Sequence, residues 1–231
     1  MQQILISGGS RGLGRALAAH FAQTGECAVT TFARHATDHV PSVTHLAGLD
    51  ARDPAALDQL APHLAAADVV VNNVGIAHDG LLATQGAERI RTMIDVNLLS
   101  VLLLTKRYLT ERLARRCGGN VVTISSIISL RGCAGLATYS ATKGALNSLT
   151  QALAREMGPK GFRFNAVLPG YFESDLSRSL PGEKRQQIVR RTPLGRLAST
   201  DDICPLVEFL ASEKSRFITG QLITVDGGLT V

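Results

Sequence analysis

Ile4-Leu5-Ile6-Ser7-Gly8-Gly9-Ser10-Arg11-Gly12-Leu13-Gly14 opens the chain, and its reading decides the fold. The apolar run Ile4–Ser7 predicts a strand, and the glycines that follow break it into a tight turn. A helix is predicted from near Gly12 to about Thr24, with Gly25 placed to close it in a left-handed cap. In a strand–turn–helix of this kind the helix N–H groups point at one spot, and no Cβ keeps an anion away. Gly8, Ser10, Arg11, Gly12, Leu13 and Gly14 are therefore a candidate seat for a dinucleotide pyrophosphate. A glycine pattern alone is weak; its place between strand and helix at the head of a repeating βαβ pattern strengthens it.

Outward from that turn, strand and helix patterns alternate to the end of the chain. Strands are predicted at Cys27–Ala33, Asp68–Val71, Asn120–Ser125, Phe162–Leu168 and Leu222–Val225, with a further one ahead of Asp50. Helices are predicted from Asp53-Pro54, over Ala87–Arg115 with Asn97 inside, over Thr138–Met157, and from Ser199-Thr200-Asp201-Asp202 through Leu210. Such alternation predicts an α/β fold, a single-domain Rossmann-type doubly wound parallel sheet with helices on both faces. No linker, repeat or low-complexity tract divides residues 1–231. The least regular stretch, 171–196, is polar and basic and reads as a candidate substrate lid.

Composition narrows the function classes. With 45% hydrophobic and 19% charged residues among 231, the chain suits a soluble enzyme with one sizeable core. No apolar run reaches the roughly 20 residues of a membrane span. The chain enters its first strand directly, without a signal-peptide pattern, so a cytoplasmic location is expected. Cys27, Cys117, Cys133 and Cys204 are dispersed, which supports neither a disulfide framework nor a zinc site. His35, His39 and His45 lie in a loop around Pro41 with no complementary ligand set, so no metal is expected. A net charge of +5, few aromatics and no recognition motif argue against nucleic-acid binding.

The end of the second strand bears on cofactor choice. An acid there would accept from a ribose 2′-hydroxyl and repel a 2′-phosphate. The sequence reads Thr30-Thr31-Phe32-Ala33-Arg34 instead, and Arg34 with Arg11 can pair with a 2′-phosphate, which favours NADP(H). Two solvated arginines are the plainer alternative. Asp50 is a candidate acceptor for the adenine amine, with a capping or turn role as the alternative.

Tyr139 and Lys143, in Tyr-Ser-Ala-Thr-Lys-Gly, are separated by one helical turn and project from one face. An ammonium held beside a phenol is expected to lower the phenol pKa from about 10 and make it a usable proton donor. Ser125-Ser126 lies upstream. Together the glycine turn, Asn72-Asn73-Val74-Gly75, Asn97, Ser126, Tyr139-x-x-x-Lys143 and Pro169-Gly170 resemble the short-chain dehydrogenase/reductase family in order and spacing, over essentially the whole chain. The resemblance implies Tyr139 as general acid in ketone reduction. Lys143 would tune it and hold the nicotinamide ribose, and Ser126 would donate to the substrate oxygen. Asn97 would support a water relay to Lys143. It also places Asn73, Gly75, Tyr139, Lys143, Pro169 and Gly170 against the cofactor. Ser7 and Val74 depart from the commoner Thr and Ala without loss of a functional group.

Within that family the chain is most similar to β-ketoacyl-acyl carrier protein reductases, through Ser-Arg-Gly-Leu-Gly, the Arg34 region, Pro193-Leu-Gly-Arg-Leu and Ile218-Thr-Gly-Gln. That implies NADPH-dependent reduction of a 3-ketoacyl thioester, on acyl carrier protein or CoA. A reductase of free ketones, quinones, steroids or sugars is the alternative. Basic residues Arg115, Arg116, Lys160, Lys184, Arg185, Arg190, Arg191 and Arg196 are expected near the active-site mouth, where Arg115, Arg116, Lys160, Arg190 and Arg191 would dock an acidic carrier. A solvated surface is the competing reading. The resemblance further implies a homotetramer packed through the helices at 87–115 and 138–157, with Leu98, Leu99, Leu102, Leu103 and Leu104 as candidate contacts.

Overall fold

A computed structural model describes residues 1–173 and 182–231, so residues 174–181 of the expected lid lie outside the described residues. Seven parallel strands form the sheet: β1 (Gln2–Ser7), β2 (Cys27–Ala33), β3 (Val43–Ala47), β4 (Val69–Asn72), β5 (Gly119–Ile124), β6 (Phe162–Pro169) and β7 (Leu222–Val225). Their order is β3-β2-β1-β4-β5-β6-β7. The chain works outward from β1 in one direction and then returns to its other side, so a crevice opens between the C-terminal ends of β1 and β4.

The period of two along each strand divides the core between the faces. Ile4 and Ile6 of β1, Val69 and Val71 of β4, and Val122 and Ile124 of β5 pack with Leu17, Phe21, Val207 and Leu210. These come from α1 (Gly12–Gln23) and the C-terminal helix Thr200–Ala211. Leu5, Val70 and Val121 point the other way, onto Leu60 and Leu64 of α2 (Pro54–Ala66) and Tyr108. Asp53 caps α2 by accepting from the Ala55 N–H at 2.9 Å, with Pro54 in the first turn where its missing donor costs nothing.

The helix expected over 87–115 is interrupted. It consists of α3 (Ala87–Ile94), a π-helical turn at Asp95–Leu99 and α4 (Ser100–Ala114). A short α5 (Ile128–Arg131) follows β5, and α6 (Ala137–Met157) carries Tyr139 and Lys143. The stretch read as irregular contains α7 (Gly182–Arg191); the Thr200–Ala211 helix is α8. Five consecutive long polar side chains at 183–187, four of them exposed, hid α7 from a reading based on apolar periodicity. Among the described residues no helix is long and apolar enough to cross a membrane.

Candidate active site

The crevice between β1 and β4 is stitched by two short side chains. The Ser7 hydroxyl donates to the Val71 carbonyl (3.3 Å) and accepts from the backbone N–H groups of Asn73 (3.0 Å) and Val74 (3.3 Å). In return the Asn73 amide donates to the carbonyls of Ser7 (3.1 Å) and Gly8 (3.3 Å). Gly14 is required by this closeness: a Cβ there would stand 2.3 Å from the Gly8 oxygen and 2.4 Å from the Asn73 amide nitrogen. Gly12 turns the chain at φ +55° into α1.

A cavity of about 950 Å³ runs from this turn along the C-terminal edge of the sheet. Its wall includes Gly8, Ser10, Arg11, Gly12, Leu13, Arg34, Asp50, Asn73, Gly75, Ser126, Tyr139, Lys143, Pro169 and Gly170. Of the candidate catalytic and cofactor-binding residues, Gly14 and Asn97 alone are absent from that wall. Gly14 permits the tight packing just described, and Asn97 acts on a loop. The Asn97 oxygen accepts from the Ile76 N–H (2.8 Å), while its amide donates to the Ile76 carbonyl (2.8 Å) and the Thr142 hydroxyl (3.1 Å). Its side chain is thus committed to fixing the segment after Gly75. The π turn at Asp95–Leu99 is the local device that carries it there.

At the far end of the cavity β5 delivers Ser125-Ser126 and α6 delivers Tyr139 and Lys143. Lys143 is 3% exposed, and its ammonium donates to the Ile124 carbonyl at 2.8 Å. Burial lowers its pKa to about 8. The Lys143 nitrogen lies 5.8 Å from the Tyr139 ring centroid. The expectation of a lowered tyrosine pKa is corrected here: burial pushes the Tyr139 phenol up, and hydrogen bonding with Ser126 offsets only part of that. Desolvation of the phenolate outweighs a nearby ammonium that is itself desolvated and turned toward a backbone oxygen.

Residues 8–230 match a family described as Enoyl-(Acyl carrier protein) reductase. The 3-oxoacyl-[acyl-carrier-protein] reductase of Escherichia coli K12 is 34% identical over 97% of this chain and 96% of its own. Among solved structures, a putative 2-deoxy-d-gluconate 3-dehydrogenase from Agrobacterium tumefaciens with bound NADP superposes with a TM-score of 0.92 at 30% identity, covering 99% of this chain and 96% of the other. A 3-oxoacyl-[acyl-carrier protein] reductase from Brucella melitensis gives 0.88 at 26% identity, covering 100% and 91%. The chain belongs to the short-chain dehydrogenase/reductase family.

In this short-chain dehydrogenase/reductase the adenosine end of the cavity holds a residue that sequence reasoning missed. The Arg52 guanidinium grips both Asp50 oxygens (Nε at 3.0 and 3.1 Å, a terminal nitrogen at 2.7 Å), and its backbone N–H donates to the same carboxylate at 3.0 Å. Arg52, with Arg34 adding to the field, holds the Asp50 carboxyl below its ordinary range. Asp50 therefore meets the cavity as half of an ion pair, whereas the sequence suggested a free acceptor for adenine. Arg11, Arg34 and Arg52 all line this end. With the cradle at Gly8 and Gly12, these groups fit a dinucleotide carrying an extra phosphate on its adenosine ribose.

The expected basic rim is also revised. Arg115, Arg116 and Lys160 immediately precede β5 and β6, whose first residues pair as Gly119 with Phe162. A six-residue strand spans about 20 Å, so these cations sit at the opposite edge of the sheet from Ser126. Lys184, on α7, lines the cavity. Arg190 contacts Gln186 at 3.4 Å, and Arg185 pairs with Glu173. Arg196 is held by Asp202 at 2.6 Å.

Proposed function

We propose that the protein is an NADPH-dependent reductase of 3-ketoacyl thioesters. Convergence of Ser126, Tyr139 and Lys143 on one end of a cavity whose other end is a glycine cradle beside three arginines carries this reading. Gly8, Ser10, Gly12 and Leu13 would hold the pyrophosphate, with Asn73, Gly75, Pro169 and Gly170 lining the cavity toward Tyr139 as further cofactor-binding residues. Arg11, Arg34 and Arg52 would hold the 2′-phosphate. When bound, the reduced nicotinamide supplies a hydride to the carbonyl carbon.

This chain's own residues handle the oxygen. Ser126 donates to it as negative charge develops. Tyr139, kept protonated by burial, gives it the proton. Lys143 sits as a buried cation behind the phenol and favours the phenolate that this transfer leaves. Asn97 acts as a positioning residue through the segment at Ile76. A side chain at Gly75 would lie 3.3 Å from the Lys143 nitrogen and 3.6 Å from the Asn97 oxygen, so bareness at that position keeps room for both.

The carbonyl class rests on the 34% identical 3-oxoacyl reductase relatives. A free hydroxy-ketone or sugar acid is the second reading. It is favoured by the gluconate dehydrogenase neighbours and by a wall that includes His78, Asp79 and Lys184. The test is NADPH consumption with one acyl group presented as carrier-protein 3-ketoacyl thioester, CoA thioester, free keto ester and enoyl thioester. Preference for the carrier form supports the proposal; preference for the free ketone selects the second reading, and turnover of the enoyl form alone overturns both. Exposed Ile94, Leu99 and Leu102 suit the helix-mediated tetramer, whereas Leu104 is spent in the core. Light scattering measures that state.

A further inference from the structure

Tyr139, Lys143 and Asn147 succeed one another at four-residue steps along α6, and so continue one helix face. Asn147 is 7% exposed and reaches neither the cavity wall nor the apolar core clusters. Its amide nitrogen donates to the Ser129 hydroxyl oxygen at 2.8 Å. With that lone pair engaged, Ser129 turns its proton to the Ser126 carbonyl at 2.5 Å, and its backbone N–H meets the same carbonyl at 3.0 Å. A hydroxyl that accepts on one side is a better donor on the other.

The Ser126 hydroxyl oxygen, for its part, accepts from the Ile128 N–H at 3.3 Å, which leaves its proton to be given away. Next to it, the Ser125 hydroxyl donates to the Lys143 carbonyl at 3.2 Å. The serine loop therefore hangs from α6 at two points, Lys143 and Asn147, on the same helix that carries the phenol. Holding Asn147 this way has a cost, because its buried oxygen finds no partner among the described residues. An apolar side chain there would avoid that cost.

We propose that Ser129 and Asn147 are positioning residues that fix the Ser126 hydroxyl relative to the Tyr139 phenol, setting the two donors at one substrate oxygen. This rests on the assignment of Ser126 and Tyr139 above. It adds two residues that touch neither substrate nor cofactor.

The experiment is a mutant cycle read with NADPH and acetoacetyl-CoA, with ethyl acetoacetate in parallel. It comprises Ser126→Ala, Ser129→Ala, Ser129→Thr, Asn147→Leu and the Ser126→Ala/Ser129→Ala double variant. Ser129→Ala and Asn147→Leu are expected to lower kcat roughly tenfold, in the range that small misplacements cost, with the KM for NADPH unchanged. Ser129→Thr is expected to restore kcat, and Ser129→Ala to add nothing in the Ser126→Ala background. Ultraviolet titration of the phenol, taken as the difference from Tyr139→Phe, reads the same geometry without substrate, and Ser129→Ala is expected to raise the midpoint. Wild-type kcat in Ser129→Ala overturns the proposal, as does an equal loss with and without Ser126. If Asn147→Leu fails to fold, Ser129→Ala decides alone. Full activity in Ser126→Ala defeats the underlying assignment instead, which is a separate outcome.

Discussion

The glycine turn and α7 border the same cavity and are built on opposite principles. Around Ser7, Gly8, Gly14 and Asn73, backbone and short side chains close on one another at 3.0–3.3 Å, leaving no space for a Cβ at Gly14. On α7 Ile188 alone is buried, and the contacts are between long exposed groups such as Arg190 with Gln186. Exposed pairs of that kind contribute little stability. Rigid, small-residue construction suits a cofactor shared across a whole family, and loosely tied long side chains suit the recognition of varied substrates.

The contrast predicts that damage to the cofactor and proton-transfer half is severe and damage to α7 is mild. Tyr139→Phe removes the proposed proton donor and is expected to lower kcat about 10²–10⁴-fold, with NADPH binding measured by fluorescence intact. Gly14→Ala forces a carbon into the Gly8–Asn73 contact. It should weaken NADPH binding about a hundredfold and reduce stability by about 1–3 kcal/mol, read by titration and thermal melting. Arg52→Ala frees the Asp50 carboxylate beside the proposed 2′-phosphate site. The preference for NADPH over NADH should fall roughly tenfold to a hundredfold, the worth of a charged hydrogen bond.

The pH profile sharpens the comparison. With a pKa lowered to about 8, Lys143 is a cation below that value and neutral above it, while burial keeps Tyr139 protonated throughout. The kcat/KM for NADPH, which reports the free enzyme, should therefore be flat below pH 7 and fall about tenfold per unit above 8. The smallest effect belongs to α7. Arg190→Glu with Arg191→Glu is expected to raise KM for a carrier-bound thioester about tenfold at low salt and to vanish at high salt. A loss that persists at high salt, or extends to NADPH, would break the division between the two regions.

Much of the rigid half was legible because its constraints are local. A strand, a glycine turn and a helix are adjacent in sequence, and Tyr139 with Lys143 needs only a helical turn. What the sequence hid was tertiary. Arg52 pairs locally with Asp50, but only the pairing of β2 with β3 brings that couple beside Arg34 on the cavity wall. Arg115, Arg116 and Lys160 adjoin β5 and β6 in sequence, yet strand direction places them at the far edge from Ser126. The direction of the Tyr139 shift depends on burial, which the Tyr/Lys spacing does not encode. Ser129 and Asn147 carried no recognisable pattern, being 18 positions apart on two helices.

The wide turn at Asp95–Leu99 has a consequence for how this chain can vary in length. Its backbone holds one residue more than an ordinary helical turn, so it acts as a phase shifter between two otherwise continuous rods. Deleting one residue there would rotate everything downstream by about 100° relative to everything upstream. Asn97 and the inward face of Val101, Leu104 and Tyr108 could then no longer both be satisfied. Insertions and deletions are better borne by the exposed stretch at 81–84 than by this turn, where length itself is the coded quantity.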